Sequence, residues 1–206
     1  MSDKTAAIRF YFSFRSPYSW LAAERLDAEL GGLGVPIERI PIYPTPDLLP
    51  TFFDASATRR AKLAYVVQDI ARLARERGLT LRFPSAEDPD WSLSHAAFLA
   101  AHQQGAGPAF MLAAFRNRWC QGLDLGDDAV LADAAERAGL DRGSIVAAAH
   151  SDALRRTAAD AFRLGIERDG IFGVPSFVYA GKLYWGQDRM HFVRAAVVRK
   201  STSNSG

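Results

Sequence analysis

The chain has 206 residues, 49% of them apolar and 23% charged, with a formal net charge of +2. That length is enough to bury a full core, and so small a net charge excludes a general basic footprint for nucleic acid or for an anionic membrane surface. No apolar run approaches the roughly 18 residues of a membrane span, the opening stretch from Met1 to Ala7 lacks a signal-type apolar core, and the single cysteine, Cys120, rules out an intrachain disulfide, so the cytoplasm is the expected compartment.

In chain order, the aromatic run Ile8 to Phe14 reads as a strand that breaks at Arg15-Ser16. Pro17 suits a first helical turn, which makes Ser16 the N-cap of a helix over Pro17 to Leu30. In an open α/β sheet ligands gather at the C-terminal ends of strands, and a helix N-terminus stabilises anions. Gly31-Gly32 ends that helix, and a strand over Val35 to Ile42 completes a βαβ unit. A proline-interrupted loop follows from Tyr43 to Ala57, long enough to read as functional or mobile.

From Thr58 to about Gly165 the pattern is helical. Arg59 to Arg77 carries Leu63, Val66, Val67, Ile70 and Leu73 on one broad face and stops at Gly78. Helices over Trp91–His102, Gly107–Cys120, Asp127–Ala138, Asp141–Ala149 and Ser151–Leu164 follow. Strands over Ser176–Ala180 and Leu183–Gly186 read as a hairpin about Gly181-Lys182, ahead of a helix over Asp188–Arg199. The expected organisation is a discontinuous sheet domain (5–57 and 166–200), a helical insertion (58–165) and a disordered tail (201–206).

The order βαβ, helical block, ββα resembles a thioredoxin-like α/β fold with a large all-helical insertion, as in DsbA-like proteins. Ser16-Pro17-Tyr18-Ser19 stands where a DsbA-type oxidoreductase carries Cys-Pro-x-Cys, and Gly173-Val174-Pro175-Ser176 resembles that fold's cis-proline loop. Together with Phe12-Ser13-Phe14-Arg15, Trp185-Gly186-Gln187-Asp188-Arg189, and Lys62, Tyr65, Asp69 and Arg72, nearly the whole chain resembles the 2-hydroxychromene-2-carboxylate isomerase and kappa-class glutathione transferase family.

The resemblance implies glutathione as cofactor, a small aromatic acid as substrate and a homodimer. The family reaction opens a chromene ring to an o-hydroxybenzylidene pyruvate through glutathione thiolate. Carried over by position, Ser16 is the catalytic residue that activates the thiol. Val174, with Pro175, offers main chain to the cysteinyl part, Lys62 takes the glycine carboxylate, and Gln187 with Asp188 takes the γ-glutamyl end. Structural roles compete at three of these: Ser16 as a plain helix cap, Lys62 as an exposed helix lysine, and Asp188 as the N-cap of the last helix. Two departures fall in the substrate-facing part, where Trp91 stands in place of an Asn and Phe53 in place of a cofactor-contacting Asn.

Residue chemistry narrows the activity. Disulfide exchange needs a protein thiolate, which neither Ser16 nor Ser19 can supply. The site is therefore shaped for an external thiol. Lowering a thiol pKa of about 8.5 by two units takes roughly 2.7 kcal/mol. A hydroxyl hydrogen bond to a charged group gives about 1.5–3 kcal/mol and a helix start about 0.3–1, so one serine suffices. A glutathione-consuming transferase or peroxidase, and a non-catalytic binding module using the Val174-Pro175 loop, remain alternatives. No metal motif is present: His95 and His102 sit two turns apart on one helix, and His150 and His191 lack an acidic partner at ligand spacing. Cys120 reads as packing, and Phe52, Phe53, Trp91 and Trp119 are candidates for an apolar pocket wall.

Overall fold

The computed structural model describes residues 7–43, 57–84 and 89–203. Strand β1 (Ile8–Phe12) alternates strictly, with Ile8, Phe10 and Phe12 on one face and Arg9 and Tyr11 on the other. It is central: β2 (Ile37–Pro41) pairs with it in parallel, β3 (Ser176–Tyr179) pairs antiparallel, and β4 (Lys182–Trp185) closes the order β2-β1-β3-β4. Helix α1 (Pro17–Leu30) makes the crossover between β1 and β2. Between β2 and β3 run α2 (Ala57–Glu76), α3 (Trp91–Gln103), α4 (Gly107–Trp119), α5 (Asp128–Arg137), α6 (Arg142–Ala149) and α7 (Asp152–Asp169). Helix α8 (Met190–Ser203) follows β4.

One face of the sheet carries most of the core. Phe10 stacks on Phe177 at 5.1 Å, Phe12 meets Phe98 of α3 edge-on at 5.1 Å, and Phe14 lies 4.9 Å from Phe115 of α4. Each such ring contributes about 1.5–3 kcal/mol by leaving water. The opposite face is smaller: Tyr11 and Val178 pack with Ile42, Ile171 and Phe162 of α7. Helix α7 lies close there because residue 165 is glycine; a Cβ would stand 3.0 Å from Cε1 of Tyr11.

Several boundaries differ from the sequence reading, each for a local reason. Strand β1 ends at Phe12, not Phe14, because Ser13 O accepts the Ser16 N–H at 3.0 Å and Ser13 Oγ accepts the Arg15 N–H at 3.3 Å, which turns the chain. β2 spans Ile37–Pro41 within the expected Val35 to Ile42. The hairpin turns on Ala180-Gly181, both at positive φ (49° and 74°), so Lys182 belongs to β4.

Helix α7 runs to Asp169 rather than Leu164, continuing through Gly165, and stops at Gly170 in the left-handed conformation. Helix α8 starts at Met190, not Asp188. It also continues beyond Arg199: Ser201 Oγ donates to Val197 O and Thr202 Oγ1 to Arg199 O, so residues 201–203 are helical where a disordered tail was expected. Residues 204–206 and most of the Tyr43 to Ala57 loop lie outside the described residues.

Candidate active site

Ser16 occupies the N-cap of α1 with extended backbone (φ −95°, ψ 114°), and its Oγ accepts the Ser19 N–H at 3.1 Å. That bond uses a lone pair, so the hydroxyl proton is available to a second partner. Capping and ligand binding are thus compatible in one side chain. The first turn of α1 holds no acidic residue to oppose an anion. Ser13 N–H donates to Ser19 Oγ at 3.3 Å, and Trp119 Nε1 of α4 donates to Phe14 O at 3.1 Å, which ties the motif to the helical segment. Tyr18 turns away from the motif to donate its hydroxyl to Asp69 of α2 at 2.8 Å. Burial first, then that bond, pushes the Tyr18 phenol well up.

The Val174-Pro175 bond is cis, as the sequence reading expects. Ser176 Oγ donates to Gly173 O at 2.7 Å, and Gly186 N–H donates to Pro175 O at 2.9 Å, joining this loop to the Gly186-Gln187-Asp188-Arg189 turn. A cavity of about 470 Å³ opens between the two motifs. Ser13, Ser16 and Pro17 line it from the α1 side, and Gly173 and Val174 from the cis-proline side. Leu63, Val66 and Val67 of α2 form a second wall, with Trp91, Arg118 and Trp119 of α3 and α4 beside them.

The structure therefore brings Ser16 and Val174 onto one cavity, while other sequence candidates lie off it. Pro175 acts through its carbonyl on Gly186 and is not part of the lining. Lys62 is exposed on α2, one residue before Leu63. Gln187 Oε1 accepts from the Arg77 guanidinium, and Asp188 pairs with Arg189 at 2.8 Å. Asp188 is not the cap of the last helix, which begins two residues later. Trp91 and Trp119 do wall the cavity; Phe52 and Phe53 fall outside the described residues. Cys120, the chain's one thiol, is absent from the lining, and burial raises its pKa.

Two residues acquire significance only here. His95 is fully buried behind Ser13, with Nδ1 2.6 Å from Trp91 O and Nε2 3.5 Å from Ser13 Oγ. Nδ1 faces a carbonyl, so we assign the proton to it. Desolvation lowers the His95 pKa to about 4, which keeps the ring neutral. Arg118, 5% exposed, stands over the indole of Trp91. The available sequence signal was the apolar character of α3 and the Arg-Trp pair closing α4.

Comparison with known proteins agrees with this architecture. A family model described as a DsbA-like thioredoxin domain matches residues 7–198. A 2-hydroxychromene-2-carboxylate isomerase of Sphingobium xenophagum is 30% identical over 194 residues, covering 93% of this chain and 97% of that one. The chain belongs to the DsbA-like thioredoxin family, in its 2-hydroxychromene-2-carboxylate isomerase branch. The selenomethionine structure of a 2-hydroxychromene-2-carboxylate isomerase superposes on this family member with a TM-score of 0.83 at 25% identity, covering 97% of this chain and 98% of that one. A cytosolic disulfide reductase, DsbM of Pseudomonas aeruginosa, solved with glutathione, shares the fold at a TM-score of 0.68 and 18% identity, over 95% of this chain and 99% of its own.

Proposed function

We propose that this protein is a glutathione-dependent isomerase of a small aromatic acid, of the 2-hydroxychromene-2-carboxylate type. The observation that carries the reading is a cavity that places a helix-capping serine opposite the cis-proline loop and contains no cysteine. A DsbA-like site without its own thiol is built for the thiol of a ligand. The residues fit glutathione: a hydroxyl and a helix start favour a sulfur anion, and the main chain of Val174 offers strand-like pairing to a peptide.

When bound, glutathione would supply a nucleophilic thiol for reversible covalent catalysis at a conjugated carbon of the substrate. The protein's part is to hold and ionise it. Ser16 donates its hydroxyl proton toward the sulfur, contributing about 1.5–3 kcal/mol, and the α1 N-terminus adds about 0.3–1. Val174 aligns the cysteinyl main chain. Lys62 takes the glycine carboxylate from the rim of α2, and Gln187 with Asp188 takes the γ-glutamyl end beside the Pro175–Gly186 link. Trp91 and Trp119 exclude water from the substrate ring. This chemistry belongs in the cytoplasm, where thiols are kept reduced.

A spectrophotometric assay of 2-hydroxychromene-2-carboxylate with and without glutathione tests the proposal. Turnover is expected only with glutathione, with the free thiol unchanged at the end. Loss of free thiol in step with turnover would instead assign a transferase or peroxidase.

A further inference from the structure

The residue that closes α2 reaches across the fold to the turn after β4. Gly78 N–H donates to Arg75 O at 3.1 Å and Leu79 N–H to Ala74 O at 2.9 Å, with Gly78 at φ 65°. That pair of bonds makes a glycine-terminated helix end and fixes the backbone at Arg77. The half-buried Arg77 guanidinium then joins two further elements: Nη1 donates to Leu21 O of α1 at 3.2 Å, and Nη2 donates to Gln187 Oε1.

The second of these bonds decides which way the Gln187 amide faces. A guanidinium has donors and no acceptor, so only the carbonyl oxygen of the amide can meet it. With that oxygen engaged, the NH2 group is directed away from Arg77, and Gln187 serves a ligand as a donor. The neighbouring Asp188, paired with Arg189 at 2.8 Å, has only acceptors as a carboxylate. Gly186, just before them, is bonded to Pro175 O at 2.9 Å, next to the cavity-lining Val174. A fixed donor and an acceptor side by side match the carboxylate and the ammonium of an amino-acid head group.

We infer that Arg77 is a positioning residue for the γ-glutamyl end of the thiol ligand. It locks Gln187 as a donor, so that the amide NH2 takes the α-carboxylate and Asp188 takes the ammonium. The inference rests on the reading above that Gln187 and Asp188 receive the γ-glutamyl end. Without Arg77 the glutamine side chain turns freely, and ligand binding has to order it.

Calorimetric titration at pH 7 with three thiol peptides is the test: glutathione, γ-aminobutyryl-cysteinylglycine, which lacks the α-carboxylate, and glutaryl-cysteinylglycine, which lacks the ammonium. Arg77→Met keeps the apolar stem and removes the donors. It should weaken glutathione and the glutaryl peptide about threefold to tenfold, the scale of freezing a freed glutamine side chain, and leave the γ-aminobutyryl peptide unchanged. Arg77→Lys, with an ammonium in place of the fork, should fall between, and it reads the same ratios should the Met variant not fold. In a Gln187→Leu background, Arg77→Met should have no further effect on glutathione. An equal loss for all three peptides, no loss for any, or an undiminished loss in the Gln187→Leu background would overturn the positioning role. In the isomerisation assay Arg77→Met should raise KM for glutathione by the same factor, with a smaller change in kcat. Glutathione-dependent turnover combined with an equal loss for all three peptides sinks the positioning role and keeps the isomerase reading. A carboxylate-dependent loss in a protein that turns over no chromene does the reverse, and a wild type that binds no glutathione at millimolar concentration overturns both.

Discussion

The two walls of the cavity are built on different principles. The sheet-side wall is built from the turn over Ser13 to Pro17, with Ser16 at the helix cap, and from Gly173 and Val174 in a loop bonded through Pro175 O to Gly186, just past β4. Its geometry follows from strand register and capping. The helical wall consists of side chains, and its members are unequally held. Trp91, Arg118 and Trp119 are buried, whereas Leu63 and Val67 of α2 are about half exposed. Helix α2 is tied to the body by Tyr18 on Asp69 and by Arg77 on Leu21 O and Gln187. A wall of backbone suits a ligand that is always the same, such as a tripeptide thiol. A wall of side chains can be recast for different aromatic acids without disturbing the fold.

The largest expected effect breaks the sheet-side wall from behind. Asp169 ends α7 just before the cis-proline loop and receives Arg9 at 2.6 and 2.8 Å and Tyr11 at 2.5 Å. Burial alone would raise its carboxyl, but the bonds from Arg9 and Tyr11 overcome burial and hold it below the usual range. Asp169→Ala leaves Arg9 without its buried partner and should cost about 3 kcal/mol in denaturant unfolding. The wild-type contribution is present above the unfolded carboxyl pKa of about 3.9 and is lost as pH falls through the lower folded value. Equal stability of variant and wild type at pH 7 would show that the network does no more than decorate the sheet.

His95 joins the two walls, and its effect is read by acid. Its folded pKa, about 4, lies below the unfolded value of about 6.5, so the unfolded chain takes the proton first. Stability should fall as pH drops from about 6.5 toward 4, by on the order of 3 kcal/mol. His95→Gln should flatten that limb in urea titrations run between pH 7 and pH 4.5. A limb of unchanged steepness would place the titrating group elsewhere.

Ser16→Ala sharpens the chemical half of the comparison. Losing the cap costs about 1 kcal/mol, which a domain of this size tolerates. Bound glutathione should ionise about one to two pH units higher, and turnover at neutral pH should fall about tenfold to a hundredfold. Part of the loss should return as pH rises. The thiolate absorbance titration decides it: an unshifted curve with normal turnover would reduce Ser16 to a helix cap.

The smallest effect belongs to the exposed rim. Lys62→Ala should weaken glutathione binding by less than about fivefold, the range of a solvated ion pair, without moving thiol ionisation. Identical calorimetric affinity would leave Lys62 a surface lysine.

What the sequence by itself determined is local. Pro17 after Ser16 marks a helix start because proline lacks the N–H that has no partner there, and Ile8, Phe10 and Phe12 mark a buried strand by their period of two. The two motifs that meet at the cavity were legible for the same reason, together with the DsbA-like order of elements. Tertiary structure alone decided the rest. The helix expected to end at Leu164 runs on through Gly165, where the Tyr11 ring, far away in sequence, needs the missing Cβ. Asp188 reads as a cap, yet the turn bonded to Pro175 delays the helix to Met190. Arg118 is not singled out by the sequence at all, and gains its place only when Trp91 and the cavity close round it. Propensity and capping act over a few residues, whereas desolvation and cavity shape are set by chain segments that only folding brings together.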